Sequence, residues 1–275
     1  MKRIDLHIHT HASDGHCSPT QVVQMAASAR LDVIAITDHD TVAGVDEAIA
    51  AAAAHPLQLV PGIEMSTREG DHEIHILGYF IDHHAPSVTR HQVSAVERRA
   101  GRMRGMVANL NGMGIEVDYE DVERAAGPDS SAIGRPHLAR ALLERGQTRY
   151  YSEAFERYIG DKGVAFVRSD FPGVRQAIED IHAAGGVAVW AHPEIAIFDQ
   201  YVRAFADWGL DGLECYRPNT PPVESHLFET AANTLGLLRT GGSDWHSTHR
   251  GPLGEFAVKY SDVSALLDPR LPALS

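Results

Sequence analysis

His7 and His9 stand two residues apart in Ile4-Asp5-Leu6-His7-Ile8-His9, where period-two alternation reads as a β-strand, so both imidazoles leave one face about 7 Å apart. Two rings placed this way can converge on one cation. More ligand types follow at the ends of apolar runs: Asp14 in the loop after the first, His39 within Asp38-His39-Asp40, Glu64 closing Leu57 to Ile63, and His75 between Ile74 and Ile76. His192 follows Val187 to Ala191, and Asp244 and His246 follow Leu237 to Thr240. Six histidines and three carboxylates exceed the needs of one tetrahedral structural zinc, whose ligands usually include thiolates, and suit two or three ions. Nitrogen and oxygen donors without sulfur fit Mn, Zn or Fe. Clustered cations make hydroxide available near neutral pH, the chemistry of metal-assisted hydrolysis. Asp38 and Asp40 flank His39 and are candidates for orienting it.

These residues need a scaffold that gathers strand ends. Strands are expected at Ile4–His9, Val33–Thr37, Leu57–Ile63, Ile74–Phe80, Val187–Ala191, Gly212–Tyr216 and Leu237–Thr240. Helices are expected at Pro19–Ala29 and Val42–Ala54, N-capped by Ser18 and Thr41, and near Val174–Ala184, Tyr201–Trp208 and Glu224–Leu235. The alternation predicts a parallel α/β sheet closed, or nearly closed, into a barrel, with ligands on loops at the carboxyl ends of its strands. No Gly-rich dinucleotide fingerprint accompanies it. Between Val88 and about Gly163 the strand pattern vanishes and helical segments take over, at Val93–Leu110, Tyr119–Ala126, Pro136–Arg145 and Ser152–Ile159. The expected division is a barrel from residues 1–90 and 164–275 with a helical insertion over 91–163.

The chain has 275 residues, with 44% hydrophobic and 22% charged, as in ordinary globular proteins. Its net charge of −13 argues against gripping duplex DNA by bulk charge. No run approaches the about 20 apolar residues of a bilayer span, so no membrane partner is expected. Two cysteines, Cys17 and Cys215, form no disulfide framework, and the charged N-terminus lacks a signal-peptide pattern; a cytoplasmic location is expected. Nothing in the sequence fixes an oligomeric state.

Asp5-Leu6-His7-Ile8-His9-Thr10, Ser13-Asp14-Gly15, Thr37-Asp38-His39-Asp40, Gly62-Ile63-Glu64, Ala191-His192-Pro193 and Gly242-Ser243-Asp244-Trp245-His246 resemble, in order, the motifs of the PHP (polymerase and histidinol phosphatase) family of metal-dependent phosphoesterases. The resemblance implies a distorted (β/α)7 barrel with a helical cap and a trinuclear centre. It implies that His7, His9, Glu64 and Asp244 hold one ion, that Glu64 bridges to a second with His75 and His192, and that Asp14, His39 and His246 hold a third. Glu64 and Asp244 would act catalytically through a metal-bridging hydroxide.

In the insertion, Arg135 precedes Pro136 at a helix start, where a cation is a poor partner for the helix dipole and an external anion a better one. Arg135-Pro136-His137 also resembles cap segments of family members acting on nucleoside 3′,5′-bisphosphates or RNA 5′ ends, which makes Arg135 and His137 the expected substrate-binding pair. The expected substrate is a small phosphorylated nucleotide that loses its 3′-phosphate. Histidinol phosphate and short RNA are the enzymatic alternatives, and a non-catalytic metal-binding module is the alternative of another class. Arg98 and Arg102 share a helix face that could meet an RNA backbone. Arg168, Arg217 and His249 are further candidates for reaching substrate.

Overall fold

Eight strands make one sheet in the computed structural model, which describes residues 2–268 and 270–271. They are β1 (Arg3–Ile8), β2 (Val33–Ile36), β3 (Gln58–Glu69), β4 (His72–Tyr79), β5 (Val187–Trp190), β6 (Gly212–Tyr216), β7 (Leu238–Gly241) and β8 (Val258–Lys259), in the spatial order β7-β6-β5-β4-β3-β2-β1-β8. The helices are α1 (Pro19–Ser28), α2 (Val45–Ala52), α3 (Pro86–Gly112), α4 (Tyr119–Ala126), α5 (Arg135–Glu144), α6 (Tyr151–Ala154), α7 (Val174–Ala183), α8 (Ile195–Asp207), α9 (Pro222–Leu235) and α10 (Tyr260–Leu267). A π-helical turn over Phe155–Ile159 continues α6.

The sheet curls until its ends meet. Past β7 the chain lies against β1, where His9 donates its N–H to the Trp245 carbonyl at 2.9 Å and Trp245 donates to that of His7 at 3.3 Å. Only glycine permits this approach at position 242, because a Cβ there would stand 2.4 Å from the His7 Cβ. The result is a nearly closed, distorted α/β barrel with all seven expected strands.

Two expectations about its order are corrected. The sheet is not wholly parallel: β4 runs against both β3 and β5, and β8 runs against β1. The cause is the two-residue turn Gly70–Asp71, with Gly70 at φ 55°, since so short a connection joins antiparallel neighbours and leaves no room for a crossover helix. Nor does β3 end at Glu64; it continues to Glu69, so Glu64 sits mid-strand.

Local signals account for most helix starts. Ser18 caps α1 in a reciprocal pair with Gln21, at 3.1 and 2.9 Å. Thr41 does not cap α2, which starts at Val45 behind Gly44; its hydroxyl instead accepts from the Ala43 N–H and bonds to Ser131. Helix α8 begins at Ile195, ahead of the expected Tyr201, while β8 and α10 lie in a C-terminal stretch where no element was expected.

Helix α3 is a single run of 27 residues, about 40 Å long. Val88 in its first turn belongs to the apolar core between sheet and helices, with Ile63, Ile178 and Phe205. Met103, Met106 and Leu110, further along, pack with Val122, Leu138 and Leu142 in a second core formed over residues 103–167. Burying such a side chain stabilises by about 1.5–3 kcal/mol.

Candidate metal centre

His7 in strand β1 and His9, the residue just past its end, stand side by side, both completely buried. His7 Nε2 lies 3.2 Å from Glu64 Oε2 and 3.5 Å from Asp244 Oδ1, and His9 Nε2 lies 3.2 Å from each of the same two oxygens. The hairpin brings in His75: Glu64 is opposite Leu77, so His75 is its diagonal neighbour on the same face, with Nδ1 2.9 Å from Glu64 Oε1. His192 Nε2 reaches that oxygen at 2.8 Å. On the other side, His39 Nδ1 lies 3.2 Å from Glu64 Oε2, and His246 Nε2 lies 3.3 Å from Asp14 Oδ1. All nine residues singled out from the sequence therefore meet in one cluster, in which Glu64 touches five of the six histidines and Asp14 pairs with the sixth, His246.

The donor atoms fall into groups whose members lie within 4.8 Å of one another: His7, His9, Glu64 and Asp244; His39, Glu64 and His75; His9, Asp14, His39 and His246. Their geometry fits cations better than a hydrogen-bonded network. Both ring nitrogens of His9 and Nδ1 of His39 are buried without a well-directed hydrogen bond, although carboxylate oxygens lie near them. His75 Nδ1 and His192 Nε2 sit 3.2 Å apart and address the same oxygen. A sulfur-free imidazole and carboxylate set of this kind suits Mn, Zn or Fe. A further group, Asp46 with His83 and His84, stands on the surface, where a 2.8 Å hydrogen bond between His83 and Asp46 accounts for it.

Burial and charge divide the protons. Burial opposes ionisation of Glu64, but His39, His7 and His75 hold it well below the usual carboxylate range; His246 and His39 do the same for Asp14. Burial also disfavours the charge on His9, yet Asp244 and Glu64 push it up to about 10. His75 rises to about 10 against the same penalty, beside Glu64 and Glu73. At His39 burial wins and drives the ring down to about 3.

Backbone strain and buried carboxylates aim these groups. His192 and Asp244, just past β5 and β7, adopt left-handed φ values of 71° and 52°, and Asp40 one of 54°. Asp38 and Asp40 do not bond the His39 ring. Asp38 accepts from Thr10 N and Oγ1, both at 2.7 Å, and from Ser13 Oγ at 2.5 Å, pinning the loop that carries Asp14. Asp40 accepts from His91 Nε2 at 2.8 Å, Ser66 N at 2.7 Å and Arg99 Nε at 2.7 Å. Asp5 accepts from Ser243 N and Oγ at 2.8 and 2.6 Å, fixing the residue before Asp244; burial lifts its carboxyl to about 6. Glu214 lies behind His7. Sequence reasoning gave Asp5 and Glu214 no role, although a lone carboxylate inside an apolar strand is a signal of its own.

A cavity of about 430 Å³ opens over Asp14, His39 and His75 and is roofed by the helical segment. Arg99, Arg102 and Arg135 line it with Met103, Tyr151 and Phe155. A second lobe of about 340 Å³ shares Glu73, His75 and Arg135 and continues past His192 to Arg68 and Arg168. Arg135 is the first residue of α5, pairs with Asp161 at 2.6 Å and faces both lobes. His137 lies behind the wall, 1% exposed, where Nδ1 accepts the Gly134 N–H at 3.0 Å; burial lowers it to about 4. The other basic candidates have internal partners: Arg98 bonds the Asp170 carbonyl, Arg102 pairs with Glu73 at 3.1 Å and Arg168 with Asp71 at 2.6 Å. Arg217 Nε is buried without a hydrogen bond, and His249 meets the His16 ring edge-on.

The family model described as the PHP domain matches residues 5–184. A 5′-3′ exoribonuclease from Haemophilus influenzae is 35% identical over 89% of this chain and 90% of its own. A 3′,5′-nucleoside bisphosphate phosphatase from Chromobacterium violaceum is 32% identical, with 91% and 90% covered. Among solved structures, a protein from Bifidobacterium adolescentis assigned as a metal-dependent phosphoesterase superimposes with a TM-score of 0.87 at 32% identity, over 98% of this chain and 97% of that one.

Proposed function

The chain belongs to the PHP domain family and is a metal-dependent phosphoester hydrolase, and we propose that it removes the 3′-phosphate of a nucleoside 3′,5′-bisphosphate. The observation that carries this reading is the cavity beside the centre. Its floor is the Asp14, His39 and His75 side of the cluster, one wall holds three arginines, and the roof holds Tyr151 and Phe155. Its volume falls in the range of small-molecule sites. A nucleotide has matching parts: a base for the aromatic roof, one phosphate for the cluster, and a second for Arg135, whose planar fork suits phosphate oxygens.

In this reading His7, His9, Asp14, His39, Glu64, His75, His192, Asp244 and His246 would hold two or three divalent ions, Mn, Zn or Fe. Such ions supply Lewis-acid charge and a water activated near neutral pH. The chain's own residues bind and orient the rest. Arg135 anchors the distant phosphate while His137, capping α5 from behind, keeps Arg135 in place. The insertion over 91–163 selects the substrate. Within the described residues no helix is long and apolar enough to cross a membrane. The unpaired Cys17 and Cys215 suit the reducing cytoplasm.

The second lobe supports one other reading, 5′-to-3′ trimming of short RNA, because it gives a leaving chain a path beyond Glu73 and His75. Initial rates with Mn on a nucleoside 3′,5′-bisphosphate, a 5′-phosphorylated RNA pentamer and histidinol phosphate separate the readings. The bisphosphate is expected to give the highest kcat/KM. A dominant rate on RNA selects the second reading, and one on histidinol phosphate overturns both.

A further inference from the structure

Glu214 is a completely buried carboxylate in β6, flanked by the equally buried Leu213 and Cys215. Of its two oxygens, Oε1 lies 2.9 Å from His7 Nδ1 and Oε2 has no hydrogen-bond partner. The nearby Tyr79, also buried, gives Glu214 no hydrogen bond either. A carboxylate held this way is expensive, since burial removes its hydration and a single N–H returns only part of it. Apolar side chains of similar size would fill the place at lower cost. The feature therefore asks for a reason other than stability.

Its single partner supplies one. An ionised carboxylate only accepts hydrogen bonds, so contact with His7 Nδ1 requires a proton on that nitrogen. The opposite nitrogen, Nε2, faces Glu64 Oε2 and Asp244 Oδ1 at 3.2 and 3.5 Å. We propose that Glu214 is a positioning residue that fixes the His7 tautomer and ring orientation, presenting the Nε2 lone pair to a divalent cation held with His9, Glu64 and Asp244. The inference rests on reading the cluster as a cation centre. It adds a tenth residue to that centre, one that touches neither cation nor substrate.

The carboxylate also balances charge. His7 lies between Glu214 on one side, 2.9 Å from Nδ1, and Glu64 with Asp244 on the other, 3.2 and 3.5 Å from Nε2. Negative charge behind a ligating imidazole makes it a stronger donor. Neighbouring ligands lack the same device: His9 Nδ1 has Asp14 no nearer than 3.9 Å, and His75 has Glu73 3.7 Å from its outer nitrogen. Among the four residues of its group, His7 is the one whose ring is held from behind by a hydrogen-bonded carboxylate.

The test compares the full-length protein with E214Q and E214M, measuring Zn²⁺ affinity by competition with a chromophoric chelator and thermal stability after chelator treatment. The expected result is that E214M weakens one zinc equivalent by about 10–100-fold while its melting temperature is unchanged or higher. E214Q, whose amide oxygen can still accept from Nδ1–H, should retain part of the affinity. Wild-type zinc affinity in both variants overturns the positioning role and leaves the hydrolase reading standing. Affinity losses in both variants that track losses in melting temperature overturn it in favour of a structural role. Failure of the wild-type protein to bind zinc or Mn removes the centre itself, and the inference with it.

Discussion

Arg99 grips one oxygen of Asp40 with two nitrogens, Nε at 2.7 Å and Nη2 at 2.6 Å, while His91 and the Ser66 N–H hold the other oxygen. The pair joins α3 to the loop carrying His39, and charge from Arg99 with the His91 bond keeps the Asp40 carboxyl far below its usual range against burial. Removing one partner of a buried pair strands the other. Arg99→Met should destabilise the protein by about 3 kcal/mol, read as a lower urea midpoint. It should also lower kcat, because His39 loses its support. A variant melting like the wild type would show that His91 and Ser66 suffice for Asp40.

Glu64 meets five imidazoles, so its loss should disable more than one cation position. Glu64→Gln is expected to reduce kcat on an aryl phosphate by at least about 10³-fold and to lower bound metal by elemental analysis. Chelation of the wild type should abolish the same activity, with recovery on adding Mn. Full metal content in the variant would contradict the shared role of this carboxylate.

Arg135 separates anchoring from chemistry. Arg135→Ala should raise KM for a nucleoside bisphosphate about 10–100-fold, the worth of a charged hydrogen bond, while hardly changing turnover of an aryl phosphate that lacks a second anion. Equal losses on both substrates would place Arg135 in the chemistry.

His137 gives the fold an acid-sensitive element. Its ring is held neutral down to about 4 in the folded chain, against an ordinary value of 6.5. Between these values the unfolded chain binds a proton that the folded one does not, so stability is intact above 6.5, falls by about 1.4 kcal/mol per pH unit on acidification, and levels off below 4. His137→Gln keeps an acceptor for the Gly134 N–H. Urea titrations from pH 7 to 4 should therefore show a shallower loss in the variant than in the wild type; parallel curves would assign the acid sensitivity elsewhere.

The barrel and its cluster were largely legible because ligand residues close apolar runs, and strand ends converge by geometry. His7, His9 and Asp244 carried that information in their spacing. His75 was legible as a ligand type but not as a neighbour of Glu64, since its approach depends on the reversal of β4 at Gly70, a turn of two residues among many glycines. Glu214 and Asp5 were overlooked for the opposite reason. They sit inside strands rather than at their ends, and pattern reading treats a single charge in an apolar run as noise unless its burial is known. The basic run on α3 suggested a nucleic-acid face, but pairing with Asp40, Glu73 and Asp170 is a property of the folded chain.

Because α3 passes unbroken from the barrel's apolar core into that of the insertion, the roof over the cluster is hung from a stiff beam. Swinging it aside would mean bending a seven-turn rod or prying Val88 and His91 from their seats. The entrance is therefore framed by one continuous helix moored at both ends, in the barrel's core and in the core over residues 103–167.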